Sequence, residues 1–254
     1  MIKIENLSKS FSGREVLKDI NLTIPSNKSL VILGTSGTGK SVLIKSIAGI
    51  IVIDSGKIFL DEKRIDDANF DNKLKMMSIF GFLFQYSALF DSLNVLDNIT
   101  FYVAQKYNMT KDAKIILASE LLEQVELNKD ILYMFPSELS GGMQKRVGLA
   151  RAIAAKPRYM LLDEPVTGLD PITSRAIDEL ILKLIKTYSL TSITITHSIE
   201  SAKLIADNIV YMANKTIQWQ GTKDEFFNSG HQNEEVNRFV NSYSIDFKTN
   251  NHPS

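Results

Sequence analysis

Apolar residues along the chain follow two spacings, and the changes between them divide the sequence into elements. Short alternating apolar patterns predict β structure at the start, broken by a turn at Ser12-Gly13-Arg14. A continuous apolar run at residues 29–33 predicts a buried strand. Further strands are predicted at residues 57–60, 79–84, 159–162, 192–196 and, as a hairpin, 209–212 with 216–219.

Helical spacing fills most of the remaining chain. The clearest helix spans residues 174–188, where apolar residues recur at i, i+3, i+4, i+7 and i+8. The other predicted helices cover residues 42–48, 95–107, 113–125, 143–155 and 200–206. Residues 86–140 have helical patterns without a strand signal and predict a helical insertion. Strands and helices alternate elsewhere, so an α/β fold with a parallel sheet and helices on both faces is predicted.

The stretch between the buried strand and the next helix carries the strongest chemical signal. It fits the pattern G-x-x-x-x-G-K-[ST] and reads Gly34-Thr35-Ser36-Gly37-Thr38-Gly39-Lys40-Ser41. The glycines let the backbone turn so that N–H groups point at an anion, and the helix dipole adds positive potential. Lys40 can reach the β- and γ-phosphates and Ser41 can bind Mg²⁺, so a nucleotide site is predicted.

Two further stretches suit the same chemistry. The buried strand at residues 159–162 runs into Asp163 and Glu164, where one carboxylate can hold Mg²⁺ and the next can accept a proton from water. Ser140-Gly141-Gly142 begins a predicted helix, with Ser140 as a natural N-cap and the glycines leaving bare N–H groups. We therefore expect a second anion site, far from the first in sequence.

Composition limits the class of protein. Lys+Arg and Asp+Glu both number 29 in 254 residues, so there is no overall basic charge of the kind that nucleic-acid binding favours. Cysteine is absent, which excludes disulfides and thiolate metal sites. The start of the chain lacks the apolar region of a signal peptide, and the apolar runs fall short of a membrane span. We expect a chain that is soluble by itself and meets a membrane only through a partner.

Together these motifs resemble the nucleotide-binding subunit of an ABC transporter. Residues 34–41 match the Walker A loop, residues 159–164 the Walker B strand, and residues 139–144 the LSGGQ signature with Met143 inserted before the glutamine. The resemblance covers residues 2 to about 225. It implies a P-loop NTPase of ABC type, with a mostly parallel core sheet, an antiparallel β subdomain and a helical subdomain at about 86–142. The ATPase domain would span residues 1–230, followed by a C-terminal extension.

The resemblance also implies roles for single residues. Gln85 matches the Q-loop glutamine, which approaches Mg²⁺ and links to the transmembrane partner, and His197 matches the switch histidine at the γ-phosphate. Asp170 matches the D-loop aspartate at the dimer interface. Phe11, which alone is equally a core aromatic, takes the place of the ring that stacks on adenine. The implied catalytic residues are Glu164, His197 and Gln85; the implied Mg²⁺ ligands are Ser41, Gln85 and Asp163.

The implied activity is ATP hydrolysis coupled to transport, with ATP and Mg²⁺ in a homodimer where each signature caps the partner's Walker A loop. Residues 86–95, the LSGGM variant and residues 165–171 resemble the ATPase of the Mla-type system, which moves phospholipid between the membranes of Gram-negative envelopes. That branch implies a position at the cytoplasmic face of the inner membrane. Its partners would be permease subunits, a small accessory cytoplasmic subunit and a periplasmic lipid-binding subunit, without nucleic acid.

Three alternatives concern function. The chain could serve another importer or exporter, for amino acids or drugs. A non-transport ABC protein acting on ribosomes or DNA usually has tandem ATPase domains or long coiled coils, and this neutral chain has neither. A regulatory module without turnover conflicts with the intact Lys40, Asp163, Glu164 and His197.

Two surface segments also allow two interpretations each. Phe90, Leu93 and Val95 either form a groove for a permease helix or pack within the helical subdomain. Beyond residue 230, apolar residues at helical spacing form either a clasp onto the second subunit or packing on the same domain followed by a frayed tail. These residues are Val236, Phe239, Val240 and Tyr243.

Overall fold

A six-stranded sheet forms the centre of the computed structural model, which describes residues 1–66, 78–85, 87–228 and 234–240. Its strands are β3 (Ser29–Leu33), β6 (Phe80–Leu83), β7 (Tyr159–Asp163), β8 (Thr191–Ile195), β9 (Asn208–Ala213) and β10 (Thr216–Thr222). They lie in the order β10-β9-β3-β8-β7-β6, and β9 with β10 is the antiparallel pair. Every residue of β3, β7 and β8 is buried, as expected of parallel strands covered on both faces. The predicted mostly parallel sheet is confirmed.

A second, antiparallel sheet packs beside it. It contains β1 (Ile2–Phe11), β2 (Arg14–Ile24), β4 (Ser55–Leu60) and β5 (Lys63–Arg64), in the order β2-β1-β4-β5. Apolar residues from its inner face, including Ile2 and Ile24, share a core cluster with the first helix and with β3. The alternation of apolar and polar residues at the start of the chain therefore encodes a half-buried sheet.

Most helices begin where a polar side chain caps them. They are α1 (Lys40–Ile47), α2 (Val95–Tyr107), α3 (Lys111–Gln124), α4 (Gly141–Ala154), α5 (Pro171–Thr187), α6 (Ile199–Ile205), α7 (Lys223–Asn228) and α8 (residues 234–240). The predicted helix at 174–188 begins three residues earlier, because Asp170 caps it and Pro171 suits the first turn. α2 and α3 pack against α4 and form, with two 3₁₀ turns (Lys129–Tyr133 and Pro136–Glu138), the predicted helical insertion.

The end of the described chain packs on the same chain. Val236 is fully buried in the main core cluster, and the ring of Phe239 lies 5.0 Å from that of Tyr211. These contacts favour packing on the same domain over a clasp for this part of the extension; Tyr243 lies outside the described residues. None of the helices in the described ranges is long and apolar enough to cross a membrane.

Candidate nucleotide site

The loop between β3 and α1 turns on three glycines with positive φ. Gly34, Gly37 and Gly39 have φ of 145°, 80° and 95°, which strains any residue with a side chain. A Cβ on Gly34 would also lie 2.2 Å from the carbonyl oxygen of Met212. Directly after Gly39, α1 begins without a side-chain cap, so its first N–H groups remain available to an anion.

Lys40 is the first residue of α1, and its side chain folds back onto this loop. Its Nζ donates to the carbonyl oxygens of Gly34 and Thr35, both at 2.7 Å, and its side chain is buried. Burial lowers the pKa of Lys40, while the charges of Glu164 and Asp163 act in the opposite direction. The loop thus holds a desolvated cation, which attracts phosphate more strongly than an exposed one.

Asp163 ends β7 and faces the start of α1. The Ser41 hydroxyl donates to its Oδ1 at 3.1 Å. Burial raises the pKa of Asp163, and the Ser41 bond lowers it in part. A nearby cation would stabilise the ionised form of such a carboxyl. The Ser41 hydroxyl, the Asp163 carboxylate and the Gln85 amide all offer oxygen atoms, which Mg²⁺ prefers as ligands. Within the described ranges, no group of three or more acidic or histidine side chains is placed to hold a metal ion.

Glu164 and His197 meet at the ends of neighbouring strands. Nδ1 of His197 lies 2.9 Å from Oε2 of Glu164, which also accepts a hydrogen bond from the Thr167 hydroxyl at 3.0 Å. Glu164 has a left-handed backbone, with φ of 51°, so its side chain departs from the direction of Asp163. The carboxylate is therefore oriented from two sides and can accept a proton in the pocket.

A pocket of about 390 Å³ joins these groups, within the usual range for ligand sites. Its walls include these predicted residues: Ser36, Gly37, Gly39, Lys40, Ser41, Gln85, Asp163, Glu164 and His197. The loop residues Gly34, Thr35 and Thr38 do not line it; the Thr38 hydroxyl donates to the Thr35 carbonyl at 3.0 Å. Val16 and Thr167 also line the pocket, although the sequence analysis did not identify them.

Phe11 and Asp170 are among the predicted residues that do not line this pocket. Phe11, at the end of β1, is 44% exposed, with Nζ of Lys9 5.1 Å from its ring centroid. Its exposure excludes the core-aromatic interpretation. Asp170 accepts hydrogen bonds from the N–H groups of Ile172 and Thr173, both at 3.0 Å, and so caps α5.

The signature lies at the start of α4, also outside the pocket. The Ser140 hydroxyl accepts a hydrogen bond from the N–H of Met143 at 3.3 Å, which confirms the predicted N-cap. A Cβ on Gly142 would lie 2.9 Å from Cγ2 of Thr173, and one on Gly141 would lie 3.3 Å from Leu169. The signature glycines thus also allow α4 to approach the start of α5.

Sequence reasoning missed Lys145. Its Nζ donates to the main-chain oxygen of Gln85, and the side chain is only 4% exposed. Burial lowers its pKa, and the charges of Glu164 and Asp163 oppose that shift. The available signal was its position one turn before the buried Leu149, on the apolar side of α4.

Known sequences match most of this chain. A family model described as "ABC transporter" matches residues 17–167. The chain is 35% identical over 245 residues to the "Probable ribonucleotide transport ATP-binding protein mkl" of Mycobacterium tuberculosis, covering 96% of this chain and 67% of that protein. It is 36% identical over 230 residues to the "Glutamine transport ATP-binding protein GlnQ" of Geobacillus stearothermophilus, covering 90% of this chain and 93% of that protein.

Solved structures agree with the fold. A dimeric post-hydrolysis structure of the ATP-binding cassette MJ0796, bound to ADP and Pi, superposes with a TM-score of 0.81 at 30% identity. The match covers 87% of this chain and 98% of that one. The chain therefore shares the arrangement of sheets and helices of a solved ATP-binding cassette.

Proposed function

Because this chain belongs to the ABC transporter family and is an ATPase subunit of that family, we propose that it powers phospholipid transport at a bacterial inner membrane. ATP is its substrate. The observation that carries the cargo is the combination of residues 86–95, the LSGGM signature and residues 165–171, which resembles the Mla-type ATPase. Two chains form a homodimer, bound to permease subunits at the cytoplasmic face. An accessory cytoplasmic subunit and a periplasmic lipid-binding subunit complete the system.

Within the site, each residue group has one task. The N–H groups of residues 34–41 and Lys40 bind the phosphates of ATP. Glu164 accepts a proton from the attacking water, and His197 orients Glu164 and contacts the γ-phosphate. Mg²⁺, held by Ser41, Asp163 and Gln85, would neutralise charge that develops on the phosphates. Phe11 stacks on the adenine ring.

The second chain supplies the remaining contacts. Ser140, Gly141 and Gly142 bind the nucleotide held by the partner's loop, and Asp170 lies at the dimer interface. Two observations support this arrangement. Among the described residues that line the pocket, none belongs to the signature. The related MJ0796 cassette is dimeric. Each ATP site would then require both chains.

We assign docking of the permease to an apolar groove between β6 and the helical insertion. The groove is about 560 Å³ and is lined by aromatic side chains, among them Phe82, Phe84 and Phe90. Of the three residues predicted for this role, only Phe90 is exposed. Val95 is buried as the first residue of α2 and Leu93 is half-buried, so those two pack within the subdomain.

A charged residue at Phe90 tests the groove. In Phe90→Glu we expect loss of membrane co-purification with unchanged ATPase activity of the isolated subunit. Tyr133→Glu is the matched control, since Tyr133 is an exposed aromatic of the same subdomain outside the groove lining. A Phe90→Glu chain that still co-purifies with its membrane partner would exclude this surface.

The cargo is tested on the complex purified from membranes. Lipid analysis should find bound phospholipid, and phospholipid added to the reconstituted complex should raise its ATPase rate. The names of the relatives favour two competing cargoes, a ribonucleotide and glutamine. Stimulation by either of these solutes, with no bound lipid, would replace the phospholipid proposal and leave the ATPase assignment intact.

A further inference from the structure

The main-chain carbonyl of Gln85 is held by a buried lysine from the signature helix. Lys145 is 4% exposed, and its Nζ donates to Gln85 O. Lysine is almost never this buried without a specific partner. A hydrogen bond from an ammonium group in a desolvated setting is roughly twice as strong as a neutral one. The contact therefore joins the Q-loop to the helix that presents the signature.

Two other residues on the same side of α4 strengthen this attachment. Gly148 and Arg151 follow Lys145 at i+3 and i+6, along one ridge of the helix. A Cβ on Gly148 would lie 2.6 Å from the side chain of Leu83, so α4 lies close against the end of β6. The Arg151 guanidinium donates to the carbonyl oxygens of Ser87 and Ala88, both at 2.7 Å.

We propose that Lys145 is a positioning residue, which fixes Gln85 to the signature helix so that both move as one body. The inference rests on the proposed role of Gln85 in the ATP site. A shift of α4 towards or away from a partner's nucleotide would then move Gln85 in its own site. Binding at one site of the dimer would in this way set the geometry of Gln85 in the other.

A double-mutant cycle in the full-length chain tests the proposal. The variants are Lys145→Met, Gln85→Ala and the double mutant, measured for kcat and for KM of ATP over a range of Mg²⁺ concentrations. Lys145→Met should lower kcat roughly tenfold, within the coupling range of contacting residues. In the Gln85→Ala background the same change should cost less than about twofold, because its target is already lost.

The controls separate positioning from packing. Methionine preserves the volume of lysine and removes a buried charge, so the unfolding temperature should be unchanged or raised while kcat falls. Lys145→Arg should recover much of kcat. Arg146→Met is the matched control, because Arg146 donates instead to the Val125 carbonyl and to Glu126; its kcat should stay at the wild-type value.

Two results would overturn the proposal. The first is an equal loss of kcat from Lys145→Met in the wild-type and Gln85→Ala backgrounds; the second is an unchanged kcat in Lys145→Met when Gln85→Ala lowers it. Wild-type kinetics of Gln85→Ala itself would instead remove the role of Gln85, and the inference with it. If Lys145→Met does not fold, Lys145→Gln takes its place in the same cycle.

Discussion

The starts of α1 and α4 are both glycine-containing helix N-termini, yet their surroundings differ. At α1 the helix has no side-chain cap, and Lys40, Asp163 and Glu164 of the same chain share its pocket. At α4 the side chain of Ser140 takes one N–H, and the glycines lie against α5. The first region is surrounded by polar groups of its own chain, while the second shares no pocket with them among the described residues, as the proposed dimer requires.

The largest expected effect concerns the assembled site. Glu164→Gln should lower ATP turnover by roughly 10²–10⁴-fold, because the amide cannot accept the proton from water. ATP binding should persist and the dimer should be trapped, since the phosphate loop and both signatures remain intact. Single-turnover ATPase assays and gel filtration with ATP measure the two effects. Wild-type turnover in this variant would remove Glu164 as the base.

Mixing two inactive chains tests the incomplete site. Lys40→Met removes the loop cation and Ser140→Arg blocks the signature, so each variant alone should have little activity. A mixed dimer keeps one intact loop facing one intact signature. Random pairing of equal amounts should therefore restore about a quarter of wild-type turnover, if the two sites act independently. No recovery on mixing would indicate a site closed within one chain.

A buried carboxyl links α5, the helix against which α4 packs, to α6. Oδ2 of Asp178, on α5, accepts a hydrogen bond of 2.5 Å from the Ser201 hydroxyl of α6, which follows His197. Burial raises the pKa of Asp178 from 3.8 to about 6, so ionisation destabilises the folded state as the pH rises through this interval. Asp178→Asn should therefore raise the free energy of unfolding by up to about 3 kcal/mol above pH 6.

This gain should shrink as the pH falls and disappear below about pH 4, where the aspartate is neutral in both states. Urea unfolding of the wild type and the variant at a series of pH values measures it. A pH-independent difference between the two proteins would show that Asp178 does not carry the expected penalty.

The smallest expected effect concerns Gly142, where packing against α5 can be separated from binding of a partner's nucleotide. Gly142→Ala should cost about 1–3 kcal/mol of stability, because its Cβ overpacks the methyl group of Thr173. Thr173→Ser removes that methyl and should restore stability in the double variant. If Gly142 also binds a partner's nucleotide, ATPase activity should remain low after stability has recovered. If stability and ATPase activity both recover, Gly142 is needed for packing alone.

Much of the fold followed from local patterns. The apolar residues of α5 recur at helical spacing and those of β3 and β7 form continuous runs, so each pattern predicts one type of element. The prediction of a mostly parallel sheet is confirmed. The start of α5 was predicted three residues late, because the apolar periodicity begins after the cap and Pro171. The roles assigned to single site residues remain predictions.

By itself, the sequence determined the family, the phosphate loop and the order of the motifs, because those depend on residue types at short spacings. Only the tertiary structure decided which distant residues meet. Lys145 and Gln85 are separated by 60 positions, and Gly142 and Thr173 by 31, so no local pattern could reveal their contacts. Packing of α4 against β6 and α5 creates both, since close approach depends on the whole arrangement of helices and sheet.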